Sequence, residues 1–221
     1  MRLFVAIDLI TLRDPRAPAA EAYRTLRTNI QFSSLERTLH TLLVTSSAPD
    51  EGKSTTLANL AVTMAQAELR VILVDCDLRR PALHSIFGLP NDAGFTNLLL
   101  DAAAPIPFQA TEVEGLRLLT SGPLPPQPAD LLGSRRMDAA IERLKAEADI
   151  VLFDAPPIIA VTDAAVLATK LDGVLLVAKS GRTRRDRARE AVQLLQKVNA
   201  RVLGVVLTNA KLEKDGYGSY S

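Results

Sequence analysis

The sequence predicts an α/β fold, a mostly parallel β-sheet flanked by helices on both faces. Three observations predict it. From about residue 40 onward, short apolar runs alternate with helical patterns, the rhythm of parallel strands joined by crossover helices. The runs are rich in Val, Ile and Leu, as strands buried on both faces are. Several of them end in a polar loop or an acid, and ligands of such sheets sit at the carboxyl ends of the strands.

The expected strands, in order, are TLLVTS (41–46), VILVDC (71–76), LRLLTS (116–121), IVLFDA (150–155), GVLLVA (173–178) and VLGVVLTN (202–209). Helical patterns fall at 53–67, about 134–148, 162–170 and 183–199, and PLPPQPADLLG (123–133) reads as a Pro-rich turn leading into a helix start. The opening MRLFVAIDLI is short, carries Asp8 and lacks a small-residue cleavage site, so it reads as an added strand or a poorly ordered extension, not a signal peptide. One domain over residues 1–209 is expected, with 1–13 unassigned, followed by a flexible tail at 210–221.

At 221 residues the chain can bury a core without staples. Its 26 basic and 25 acidic residues nearly cancel, which argues against a nucleic-acid partner. The single cysteine, Cys76, precludes an internal disulfide and fits a reducing cytoplasm. His40 and His84 show no metal or triad spacing and receive no role.

The most informative stretch is VTSSAPDEGKSTTLANLAV (44–62). It reads as strand, phosphate loop and helix. A loop that wraps phosphate needs small residues to turn N–H groups inward, a lysine for the β/γ oxygens and a hydroxyl for Mg²⁺. Lys53 and Ser54 supply the last two, and Asp50, Glu51, Gly52 and Thr55 complete the expected nucleotide contacts. The usual pattern is Gly-x4-Gly-Lys-Ser/Thr; here Ser47 takes the first position. Three acids stand at strand ends: Asp75 and Asp77 after the second strand, and Asp154 after the fourth. All three should share one sheet edge with Lys53. Carboxylates with a serine hydroxyl suit Mg²⁺, and a paired acid suits deprotonation of an acceptor.

These strings carry a resemblance. SSAPDEGKST, VILVDCDLRRP and IVLFDAPP are similar to the Walker A, A′ and B motifs of the bacterial tyrosine kinases (BY-kinases), which work on capsule and exopolysaccharide systems. EAYRTLRTNIQFS and SGPLPPQPADLLGS resemble that family as well, and the match runs from about residue 14 to 209. It implies the Min/Par-like branch of the P-loop NTPase fold and ATP with Mg²⁺ as cofactors. Lys53 would bind phosphates; Ser54, Asp77 and Asp154 would hold the metal; Asp75 would accept the tyrosine proton. Asp75, Asp77 and Lys53 are thus the expected catalytic set.

Glu21, Arg24 and Arg27 fan over one helix face. On composition they read as a solvated helix with a Glu–Arg pair; by resemblance they join subunits into a ring, a homo-oligomer in which one tail enters the next site. Tyr217 and Tyr220 in GYGSYS are the expected phosphoacceptors, although family tails usually carry denser tyrosine clusters. The resemblance also implies a separate membrane-embedded activator chain that recruits the kinase to the inner face of the plasma membrane, and tyrosine-containing protein substrates. Arg182, Arg184, Arg185, Arg187 and Arg189 read either as a solvated basic face or as a contact for anionic headgroups or an acidic partner. Arg79 and Arg80 stabilise phosphate, bind a neighbour or simply lie on the surface. Asn209 holds a nucleotide base or forms a turn.

Two rivals share the fold. A Min/Par-type ATPase carries an extra lysine early in the phosphate loop, where this chain has Ala48. A weakly catalytic or non-catalytic ATP-binding assembly switch is the other, and the sparse tail keeps it open.

Overall fold

The structure, a computed structural model, describes residues 8–33 and 38–210. Its seven strands are β1 (Thr41–Ser46), β2 (Val71–Asp75), β3 (Gln109–Ala110), β4 (Leu116–Leu119), β5 (Ile150–Asp154), β6 (Gly173–Lys179) and β7 (Val202–Thr208). They form one sheet in the order β3-β4-β2-β5-β1-β6-β7. Every pairing is parallel except β3 with β4. The six predicted strands appear within two residues of their expected bounds. The seventh, β3, is two residues long, too short to leave a period in the sequence.

Nine helices are described: α1 (Ile10–Arg13), α2 (Pro18–Ser33), α3 (Lys53–Ala65), α4 (Leu83–Ile86), α5 (Phe95–Leu100), α6 (Pro128–Gly133), α7 (Arg135–Glu147), α8 (Asp163–Ala168) and α9 (Arg185–Lys197). Alternation along each buried strand sends successive side chains to opposite faces. Leu43, Ile72, Val74 and Phe153 join the core under α5 to α9, while Leu42, Val44, Leu73 and Leu152 join the core under α1 to α4. The expected three layers result. At the start of β1, Asp172 Oδ2 accepts the N–H groups of His40 and Thr41 at 3.0 and 2.9 Å and the Thr41 hydroxyl at 2.8 Å. That anchor seats β1, an interior strand of the sheet, and with it the loop that follows.

The stretch before residue 14 departs from both sequence readings over its described part. Residues 10–13 form a helical turn, and Leu9 is 2% exposed within the α1–α4 core. The N–H and hydroxyl of Thr11 both donate to Asn59 Oδ1, at 3.1 and 2.9 Å. This segment is therefore part of the packing, and Leu9→Ala is expected to lower unfolding free energy by about 2–5 kcal/mol. A urea titration checks it; an unchanged midpoint would return the segment to the status of an appendage.

Candidate active site at the carboxyl edge of the sheet

β1 ends at Ser46, and the chain turns through 47–52 into α3. Gly52 holds φ at 89°, a left-handed conformation that costs glycine little. No side chain caps α3, so its first N–H groups and positive end face the inside of the loop. Ser47 replaces the usual first glycine, and the loop accommodates it through Glu51. The Glu51 carboxylate accepts the Ser47 N–H at 2.9 Å, the Ser47 hydroxyl at 2.8 Å and the Ala48 N–H at 3.0 Å. The Thr183 hydroxyl donates to the same carboxylate, and the Thr208 hydroxyl donates to the Glu51 carbonyl at 2.8 Å.

Glu51 was expected among the nucleotide contacts. Its side chain instead turns inward, 2% exposed, and braces the loop against Thr183 in the segment before α9, while its carbonyl ties the loop to Thr208 of β7. Glu51→Ala strands these buried donors at about 1–3 kcal/mol for each one left unpaired. A lowered melting temperature together with weaker nucleotide binding is expected, read by thermal melts with and without nucleotide.

The acids meet by register. Asp75 pairs with Asp154 across β2 and β5, and partners in a parallel pair point to one face. Lys53 Nζ lies 3.0 Å from Asp77 Oδ2, 3.2 Å from Asp154 Oδ1 and 3.2 Å from the Ser54 hydroxyl. The Ser54 hydroxyl donates to Asp154 Oδ2. Burial pushes the Lys53 ammonium toward neutrality, but Asp154 and Asp77 outweigh it and its pKa is raised. Burial also raises the Asp154 carboxyl, opposed by Lys53 and Ser54.

Asp75 and Asp77 differ in access. Asp77 lines an open cleft of about 500 Å³ together with Lys53, Ser54 and Thr55. Asp75 lies behind it, fully buried. Its Oδ2 accepts the Ala82 and Leu83 N–H groups at 3.0 and 2.9 Å, and its Oδ1 accepts the Asp77 N–H at 3.2 Å. Burial and the neighbouring Asp154 charge raise its pKa to about 7, against the Leu83 N–H bond that lowers it. Cys76, buried between the two acids, has its thiol pushed up by the same desolvation.

Sequence reasoning missed the setting of Arg79. It forms a two-pronged pair with Asp163, Nε to Oδ1 at 3.0 Å and a terminal nitrogen to Oδ2 at 3.1 Å. Asp163, fully buried, sits in the first turn of α8. The partners are 84 residues apart, and no spacing signal links them. Likewise nothing in the sequence joins Thr183 to Glu51, 132 residues away.

Other expected residues lie outside the cleft or at its rim. Asn209, with φ at 55°, lines a separate hollow of about 420 Å³ between α2 and β7, shared with Tyr23 and Leu26. Asp50, also left-handed at φ 61°, stands at the cleft mouth, with Arg182 3.8 Å from its carboxylate. On α2, Glu21 and Arg24 pair at 2.5 Å on the outside. Arg27 turns inward and donates to the Thr63 carbonyl of α3 at 2.8 Å. The three residues of that motif therefore do not present one common face. Among the arginines near α9, Arg184 pairs with Asp186 and Arg187 with Glu190. Tyr217 and Tyr220 lie outside the described residues.

The donor set fits a magnesium ion. Ser54, Asp77 and Asp154 offer hard oxygens, and the Lys53 ammonium already shows that a cation is stable between the two carboxylates. Among the described residues no three His, Cys, Asp or Glu side chains are grouped so as to hold a metal by themselves; magnesium commonly takes one or two carboxylates and relies on phosphate and water for the rest.

Comparison with known proteins places this geometry. The family model described as ParA, NUBPL iron-transfer P-loop NTPase, matches residues 37–214. The tyrosine-protein kinase YwqD of Bacillus subtilis (strain 168) is 42% identical over 215 residues, covering 96% of this chain and 91% of that protein. The kinase domain of the Escherichia coli tyrosine kinase ETK superposes with a TM-score of 0.88 at 30% identity, covering 100% of this chain and 87% of that domain. The septum site-determining protein MinD from Pyrococcus horikoshii OT3, complexed with Mg-ADP, superposes at 0.63 with 22% identity and shares the fold. A P-loop NTPase fold binds nucleotide, and YwqD and ETK, each matched over nearly the whole chain, are named tyrosine kinases. The chain belongs to the bacterial tyrosine-protein kinase family, built on the ParA-like P-loop NTPase fold.

Proposed function

We propose that this chain is an ATP-dependent protein-tyrosine kinase of capsule or exopolysaccharide synthesis or export. It autophosphorylates between subunits of a ring on Tyr217 and Tyr220, and a separate membrane-embedded chain recruits and activates it. The observation that carries the reading is the Lys53 ammonium held between Asp77 and Asp154 in an open cleft at the start of an uncapped helix. Family membership directs that chemistry to tyrosine.

Lys53 and the N–H groups at the start of α3 hold the terminal phosphates. Mg²⁺, held by Ser54, Asp77 and Asp154, would draw charge from the phosphates when bound. The acceptor oxygen bonds to the γ-phosphorus, the bond to the β,γ-bridging oxygen breaks, and ADP leaves. The hydroxyl proton passes to Asp75, whose carboxyl, up at about 7, can take a proton near neutrality. Asp75 Oδ1 holds one long contact of 3.2 Å and has lone-pair capacity left for it.

The seclusion of Asp75 behind Asp77 favours a second reading, an ATP-binding assembly switch with weak transfer. Mass spectrometry of the intact chain and its peptides after incubation with ATP and Mg²⁺ tests the first. The wild type is compared with a Tyr217→Phe/Tyr220→Phe double variant, with and without a candidate activator. Phosphate on either tail tyrosine supports the proposal. ATP consumption without any phosphoprotein supports the switch, as does polysaccharide output that survives Asp75→Asn but not Lys53→Met.

A further inference from the structure

The cleft has two unlike sides. One is polar, with Lys53, Ser54 and Asp77. The other, beyond Arg79 and Arg80, is lined by the apolar Ala82, Ile86, Pro157, Ala160 and Val161. Ala82 precedes α4 and Ile86 ends it, while Pro157, Ala160 and Val161 lie in the turn between β5 and α8. A P-loop needs no such wall to hold phosphates.

The wall is anchored to the site it faces. The Ala82 N–H is bonded to Asp75 Oδ2 at 3.0 Å. The Pro156 carbonyl accepts the Thr45 hydroxyl at 2.7 Å, and the Ile158 N–H donates to the Ser46 carbonyl at 2.9 Å. Arg79, at the same cleft, is drawn off by both oxygens of Asp163. The surface is thus preformed.

Strand order says which end of a nucleotide it meets. β5 and β2 lie on one side of β1, and β6 and β7 on the other. Lys53 reaches Asp77 and Asp154, on the β2/β5 side, so the terminal phosphate lies there. The remainder of the nucleotide trails toward β6 and β7. An acceptor in line with departing ADP must approach from the β2/β5 side, where the wall stands.

We infer that this apolar wall seats the aromatic ring of the acceptor and selects tyrosine over serine and threonine. The inference rests on the kinase reading and adds the source of its residue specificity. A ring laid on the wall buries much of its area and carries its hydroxyl, at the far end of a rigid frame, toward the polar side. The phenolic oxygen then forms its bond to the γ-phosphorus as ADP leaves, and the phenolic proton goes to a site carboxylate. A serine hydroxyl, one carbon from the backbone, cannot rest on the wall and reach the same point.

The test uses the full chain and a peptide with one tyrosine, under the condition, with or without an activator, that gives wild-type transfer. Ile86→Ser and Val161→Ser are expected to raise the peptide KM at least about tenfold while the dissociation constant for ATP stays unchanged. Ile86→Leu and Val161→Ile should restore it. The same peptide with phenylalanine in place of tyrosine should inhibit the wild type competitively against the tyrosine peptide, and a serine peptide should not; this arm does not depend on any variant folding. A weakened ATP affinity with unchanged peptide KM would assign the wall to the nucleotide and overturn the inference. So would equal inhibition by the phenylalanine and serine peptides. Either result leaves the kinase reading standing. A wild type that transfers phosphate to no tyrosine under any condition removes that reading, and the inference with it.

Discussion

Lys53→Met is expected to abolish measurable phosphoryl transfer. Among the described residues the ammonium is the one side-chain cation that touches both Asp77 and Asp154, at 3.0 and 3.2 Å, and in the proposed reaction it stabilises charge on the terminal phosphates. Loss of a preorganised donor of this kind costs about 10²–10³-fold in rate, and the lost phosphate affinity adds to it. The substitution also acts on the fold, because breaking a buried ion pair costs about 3–5 kcal/mol when the partner charge stays behind. Here the carboxylates can escape by protonation. Burial already raises Asp154, and losing the ammonium raises it further. The folded variant then binds protons that the unfolded chain has released, so its stability deficit is larger at pH 8 than at pH 5. Single-turnover transfer assays and urea titrations at the two pH values read both effects. Retained transfer would remove Lys53 from the mechanism, and a pH-independent deficit would show that the carboxylates gain no protons.

Asp75→Asn separates catalysis from architecture. The Asp75 carboxyl moves from its ordinary value of 3.8 to about 7 in the folded chain. Between those values the folded state holds a proton that the unfolded state has lost. Stability from this group is therefore present below about pH 4 and is lost as pH rises through about 7. Without nucleotide and metal, the wild type should grow less stable over that window, and Asp75→Asn should flatten the decline. The amide oxygen can still accept the Ala82 and Leu83 N–H groups, so the entry to α4 keeps its anchor while the 3.2 Å bond from the Asp77 N–H is lost. Removal of a general base lowers kcat by about 10²–10⁴-fold and erases the rise in activity with pH around neutrality. A flattened stability curve with transfer intact would make Asp75 an anchor for the turn and leave the proton to Asp77, the carboxylate that faces the cleft.

The parts legible in the sequence are those built from contiguous residues. Strand β1 falls on its predicted bounds, since a short apolar run followed by turn residues needs no distant information. The phosphate loop and the strand-end acids were legible for the same reason: parallel strands place their carboxyl ends on one edge, so motif order alone brings Lys53, Asp77 and Asp154 together. The inward turn of Glu51 was not legible, because its partners Thr183 and Ser47 come from different strand ends. Nor was the order of access of Asp75 and Asp77, which depends on amides at the entry to α4. The split of Arg27 from Glu21 and Arg24 required the packing of α2 on α3. By itself the sequence determined the layers, the loop and the edge of the sheet that carries the candidate site, because period and motif are local properties of a chain. Only the tertiary structure decided which acid reaches the cleft, which glutamate is a brace and which apolar residues wall the site, because hydrogen-bond partners and exposure are set by segments far apart in sequence.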